Sequence, residues 1–174
     1  MSEDSVTKIS VDQYELYAEF GMVAEKAQVL EFEAGNVALA FLTIFIDKND
    51  ITPELTEVFS HIVDDLNRKT FGAMVRQLQK TLNLSDSIIA VIDEALERRN
   101  YLTHHFFRTH NFRLFSEEGR KIMMAELKEI QAKLDKAHQM MSAISSLMIQ
   151  IAGRDNLDLN KAVEMQTRGK RINI

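Results

Sequence analysis

The residues most able to do chemistry lie in Leu96-Glu-Arg-Arg-Asn-Tyr-Leu-Thr-His-His-Phe-Phe107. Arginine offers an always-charged, forked donor that fits a phosphate. Histidine titrates near neutrality and can give or take a proton. An asparagine between them can orient either partner. On a helix at about 100° per residue with Arg99 at zero, Ile88 and Phe106 fall at about −20°, Ile92 at about +20°, Ala95 at about −40° and Leu102 at about −60°. Arg99 therefore stands in the middle of an apolar stripe, a place arginine rarely occupies unless paired. Asn100 at about +100° and His104 at about +140° share one flank of the same helix. Arg98 and His105, at about −100° and −120°, form a second pair on the opposite flank. Two explanations follow from the arithmetic. Either Arg99 is tied to a carboxylate or to helix-end carbonyls, or the seam opens on a cleft or second subunit and Arg99 meets a phosphate.

These residues need helices to position them, and the 3.6-residue period runs through the chain. Ser10 with Gln13 suggests a capping box. A first helix from about 11 to about 47 is expected to bury Tyr14, Tyr17, Gly21, Ala24, Ala27, Leu30, Ala34, Val37, Phe41 and Phe45, with a kink at Gly35. Thr52 and Pro53 open a second helix. Thr70 caps a third over about 71–82, and Ser85 opens a fourth over about 86–113. Ser116 caps a fifth that reaches Gly153. A short helix is expected around 158–167. The last long helix carries Met123, Leu127, Ile130, Leu134, Ala137, Met141, Ile144, Met148 and Ile151 at alternating spacings of four and three. That is a heptad seam, which predicts a break in the helix or a second chain packed along it. No strand signals or internal repeats interrupt the pattern. The expected fold is all-α: a bundle of about five helices with long first and last members, one domain over 1–153, and a partly disordered tail over 154–174.

The Arg99-Asn100-Tyr-Leu-Thr-His104 segment, on a late helix of an all-α chain, resembles the signature of the HEPN superfamily. The motif spans six residues, and the wider helical pattern covers most of the chain. The resemblance implies a helical bundle that dimerises, with the motifs of two subunits meeting in a cleft. Active HEPN domains are metal-independent endoribonucleases. By the resemblance Arg99 would hold the scissile phosphate, His104 would move a proton at the ribose 2′-hydroxyl or the leaving 5′-oxygen, and Asn100 would position one of them. The product would be a 2′,3′-cyclic phosphate. Arg98, His105 and Arg108 are the neighbouring candidates for RNA binding. A toxin–antitoxin or phage-defence setting, with an antitoxin or nucleotidyltransferase as partner, belongs to the same expectation. The alternative is a non-catalytic helical dimer that binds RNA or another protein.

Composition bounds the remaining classes. The 174 residues are 45% hydrophobic and 27% charged, with one proline and no cysteine. They exclude a disordered or low-complexity chain, a disulfide, a thiol nucleophile and a cysteine-bound metal. The longest apolar run, Val37–Ile46, is ten residues, about half of a membrane span. The polar Met1-Ser-Glu-Asp start is unlike a signal peptide, so a cytoplasmic protein without membrane association is expected. Net charge is −5, unevenly spread: residues 1–33 carry −6, whereas 98–121 carry +4 and three histidines. A local basic segment of this kind can meet phosphates in an otherwise acidic protein. Phosphate-loop, serine-hydrolase and zinc motifs are absent, and no cofactor or metal is expected. Asp135 with His138, and His61 with Asp64 and Asp65, are the only pairs spaced like ligands of a di-metal bundle.

Overall fold

A computed structural model describes residues 10–44 and 53–153. All regular structure among them is helical: α1 (Val11–Thr43), α2 (Pro53–Arg68), α3 (Phe71–Thr81), α4 (Asp86–His104), α5 (Phe106–Thr109), a 3₁₀ turn (Arg113–Phe115) and α6 (Glu117–Ile151). No helix among the described residues is long and apolar enough to cross a membrane. The 158–167 helix, the Thr52 cap and the end of the first helix beyond residue 44 lie outside the described residues.

Local chemistry sets most boundaries. Thr70 caps α3 by accepting from Ala73 N–H at 3.3 Å. Ser116 caps α6 by accepting from Gly119 N–H at 3.1 Å, which satisfies one of the orphan donors of the first turn. Gly153 takes a positive φ of 62° at the end of α6, where the left-handed conformation suits glycine. At the start of α1 the Ser10 hydroxyl bonds the Asp12 carboxylate, and Gln13 reaches Tyr17. α1 runs through Gly35 as one helix. The fourth helix stops at His104, not near 113. The backbone turns at His105, and a short α5 and 3₁₀ turn follow. The break carries Phe106 into the core and sets Phe107 4.7 Å from Phe20 between ring centres.

The chain divides into two compact units. Among the described residues, the unit formed by 10–32 and by Asn83–Gln139 holds the candidate motif. In it, Asp12 pairs with Arg120 and Lys26 with Asp135. Partner numbers rise together, so α1 and α6 run parallel. Glu94 pairs with Lys133 and Arg98 with Glu129. Those numbers run oppositely, so α4 lies antiparallel to α6. Ion pairs flank a core of Leu16, Val23, Leu30, Leu102, Phe106 and Leu127, each worth about 1.5–3 kcal/mol when fully buried. The heptad seam is filled inside the chain here: Met123, Leu127, Ile130, Leu134 and Ala137 are all buried. Over these five positions the seam is covered by the chain's own helices, whereas Ile151 at its far end is 64% exposed. α1 also differs from expectation. Its first turns bury Leu16 and Val23, while Tyr14, Tyr17 and Gly21 face outward.

Among the described residues the second unit takes 33–44, 53–82 and 140–153. Its core comprises Ala34, Val37, Phe71, Val75, Leu78 and Met141. A cavity of about 270 Å³ opens among α1, α2 and α3, with Phe41, Ile62 and Met74 in its apolar wall and Asp65, Lys69 and Gln77 at its polar edge.

Candidate functional site

Arg99 lies in the interior of α4, between the buried Ala95 and Leu102. The apolar stripe inferred from spacing is real, and its arginine is satisfied by a carboxylate 68 positions away. Arg99 Nη2 donates to Glu31 Oε2 at 2.9 Å. Nη1 donates to Asn100 Oδ1 at 3.2 Å. Two of the five guanidinium N–H donors are engaged by these contacts, and 23% of the side chain remains exposed against 28% for Glu31. Asn100 is exposed, and with Oδ1 turned to Arg99 its amide N–H₂ is left to donate elsewhere. Thr103 Oγ1 donates to the Arg99 carbonyl at 2.9 Å.

His104 is exposed on the last turn of α4. It sits about 7.5 Å further along the helix than Arg99 and about 140° around it. Its ring lies 6.3 Å from that of His105, edge to face. The structure thus brings Arg99, Asn100 and Glu31 into direct contact and leaves His104 accessible on the same helix. His105 and Arg108 are exposed as well. Arg98 goes the other way. It reaches Glu129 of α6 at 4.0 Å, and its Nε is buried without a hydrogen-bond partner. The Arg98–His105 pair is therefore divided between the α6 side and solvent.

Four of the six bases in the basic segment are paired with carboxylates within the fold. Arg98, Arg99, Arg120 and Lys121 pair with Glu129, Glu31, Asp12 and Glu117, and Arg113 bonds His110. The acidic 1–33 segment and the basic 98–121 segment are in part partners of one another.

A second polar cluster has no precursor in the sequence reading. His110 is 0% exposed, yet its Nε2 lies 2.8 Å from Glu126 Oε2 and its Nδ1 3.1 Å from Arg113 Nη1. A guanidinium can only donate, so Nδ1 accepts and Nε2 carries the proton given to Glu126. Tyr101 Oη lies 3.4 Å from the same Nε2, and burial pushes the Tyr101 phenol above its ordinary pKa. The cluster is sealed from solvent at its centre and ties α4, α5, the 3₁₀ turn and α6 together. Its only sequence signal is three histidines within seven residues, which does not say which one is buried.

The metal pairs offered by spacing do not assemble. Asp135 is bound to Lys26 at 2.6 Å, and His61 lies 3.9 Å from Glu57. Among the described residues no group of three His, Asp or Glu side chains is arranged to hold a metal ion. Comparison with family models, with curated proteins and with solved structures finds no match for this chain.

Proposed function

We propose that this chain is an HEPN-type helical protein that cleaves RNA without a metal, through Arg99, Asn100 and His104. One observation carries the reading. Arg99 is held by Glu31 on one side and by Asn100 on the other with 23% of its side chain exposed, and His104 is accessible on the same helix. A guanidinium fixed in this way is pre-oriented for a phosphate and needs no rotamer search on binding. Asn100 keeps its amide donors for the ribose or the phosphate. His104 takes the proton of the 2′-hydroxyl or returns one to the leaving 5′-oxygen. Attack of that hydroxyl on phosphorus yields a 2′,3′-cyclic phosphate and a free 5′-hydroxyl. Dimerisation through the motif, and an antitoxin or nucleotidyltransferase partner, belong to the same proposal.

The test is cleavage of unstructured and structured RNA at low salt, with and without chelator, by the wild type and by His104→Ala. Cleavage by the wild type that survives chelator and is lost in the variant supports the reading. Cleavage retained in the variant, or removed by chelator, refutes it.

A second reading, a non-catalytic helical module, is favoured by one specific observation. Four of the six bases in 98–121 are already paired with carboxylates within the chain, which lowers the positive charge left to gather RNA. Absence of cleavage on every RNA tried is its expected result.

A further inference from the structure

α1 is apolar on two faces. Its inner face, through Leu16, Val23, Ala27 and Leu30, is buried. Its outer face carries Val11, Tyr14, Ala18, Met22, Val29 and Phe32, every one exposed: Val11 is 77% exposed, Tyr14 71% and Phe32 64%. With Met22 at zero these six fall between about −80° and 0° at 100° per residue. The line is about 32 Å long at 1.5 Å per residue. Scattered surface apolar residues are ordinary, but a straight stripe of this length on one helix marks an interaction site.

The charges beside the stripe select its occupant. Glu25 sits inside the arc at about −60°, Glu15 borders it at about +20° and Glu19 follows at about +60°. The one lysine on that border, Lys26, is bound to Asp135 at 2.6 Å. The stripe is thus apolar and locally acidic. Nucleic acid and anionic lipid are repelled by such a surface. An identical copy of α1 would set the same three glutamates against each other. A helix with apolar residues at heptad spacing and lysine or arginine beside them satisfies both the stripe and its border. Glu31, which holds Arg99, lies about 180° from Met22 around α1, so this surface is separate from the candidate site and does not rest on the RNA reading.

We propose that the outer face of α1 is a docking surface for a cationic amphipathic helix of a partner protein. Its test uses the full chain and a labelled synthetic helix of about three heptads, with leucine at positions a and d and lysine at e and g, beside a scrambled peptide of identical composition. Fluorescence anisotropy reads binding. The wild type binds the patterned peptide at least about tenfold more tightly than the scrambled one, a gap beyond what charge alone produces. The combined Met22→Gln, Val29→Gln and Phe32→Gln variant loses that difference. Its circular dichroism is unchanged, because these side chains point away from the core and glutamine is a good helix former. The combined Glu15→Gln, Glu19→Gln and Glu25→Gln variant weakens binding and flattens its salt dependence. Equal binding of the two peptides, or unaltered discrimination by the apolar variant, overturns the proposal. So does a wild-type dimer in sedimentation that becomes a monomer in the apolar variant, since the occupant is then a second copy. Competition by RNA that is abolished by the same variant overturns it as well.

Discussion

Glu31 of α1 and Arg99 of α4 meet at 2.9 Å, each with roughly a quarter of its side chain in solvent. Their pairing explains how a helix accommodates arginine in the middle of its apolar face. The environment lies between a surface pair, worth about 0–1 kcal/mol, and a fully buried one, whose disruption costs about 3–5 kcal/mol. Arg99→Ala and Glu31→Gln are each expected to lose about 1–3 kcal/mol in urea unfolding and to remain folded. A double-mutant cycle should show coupling between them. Losses near 5 kcal/mol for either single variant would assign Arg99 a purely structural role.

RNA cleavage separates the two histidines at the end of α4. Loss of a general acid–base group typically costs about 10²–10⁴-fold in rate. His104→Ala is expected to fall by that amount while RNA binding stays measurable, because Arg99 is unaltered. His105→Ala should change the rate little. Single-turnover rates with excess protein make the comparison, and equal losses for the two variants would remove the preference for His104.

The His110–Glu126–Arg113 cluster is expected to matter more for folding than any residue of the motif. His110→Ala leaves a cavity and strips partners from Glu126 and Arg113, an expected cost of about 2–5 kcal/mol. Glu126→Gln keeps an acceptor for Nε2–H and should cost less. Nitrogen-15 NMR of labelled histidine should show the Nε2–H tautomer at His110; an Nδ1–H signal would contradict the hydrogen-bond assignment.

Two glycines predict opposite outcomes. A Cβ on Gly119 would lie 2.6 Å from Arg113 Cα, against backbone that cannot move aside. Gly119→Ala should therefore destabilise by about 1–3 kcal/mol or more. Nothing lies within 4 Å of the corresponding position on Gly21, which is exposed in the interior of α1. Gly21→Ala should stabilise by about 0.5–1 kcal/mol, since alanine removes backbone freedom from the unfolded chain. Thermal melts of the two variants should shift in opposite directions.

Acid should weaken the unit that holds the motif. The Ser10 hydroxyl and then the Arg120 guanidinium hold the Asp12 carboxyl below its ordinary 3.8. The Lys133 ammonium does the same for Glu94, whose ordinary value is 4.5. A carboxyl with a lowered folded-state pKa binds fewer protons folded than unfolded. Its contribution is complete above the ordinary value and disappears as pH falls through the lowered one. Urea midpoints should therefore fall below about pH 4.5, and combined Asp12→Asn and Glu94→Gln substitution should flatten that fall. An unchanged slope would show that these pairs do not govern the acid limb.

Periodicity and caps were sufficient to read six of the described features: the all-α class, the starts of α1, α3, α4 and α6, and the placement of Arg99 within an apolar stripe. Those properties are local, because a helix writes its period, its first-turn donors and its stop into adjacent residues. Three things were decided only by tertiary structure. The face that α1 buries could not be read, since Leu16–Val23 and Tyr14–Tyr17 both lie on helical lines and only the packing of α4 and α6 selects the first. The heptad seam of α6 was legible as a seam, but whether its partners were on this chain or on another depended on helices distant in sequence. The carboxylate for Arg99 and the acceptor for His110 are 68 and 16 positions away. Coulomb attraction and hydrogen bonding act through space, so a one-dimensional pattern carries the need for a counterion without naming it.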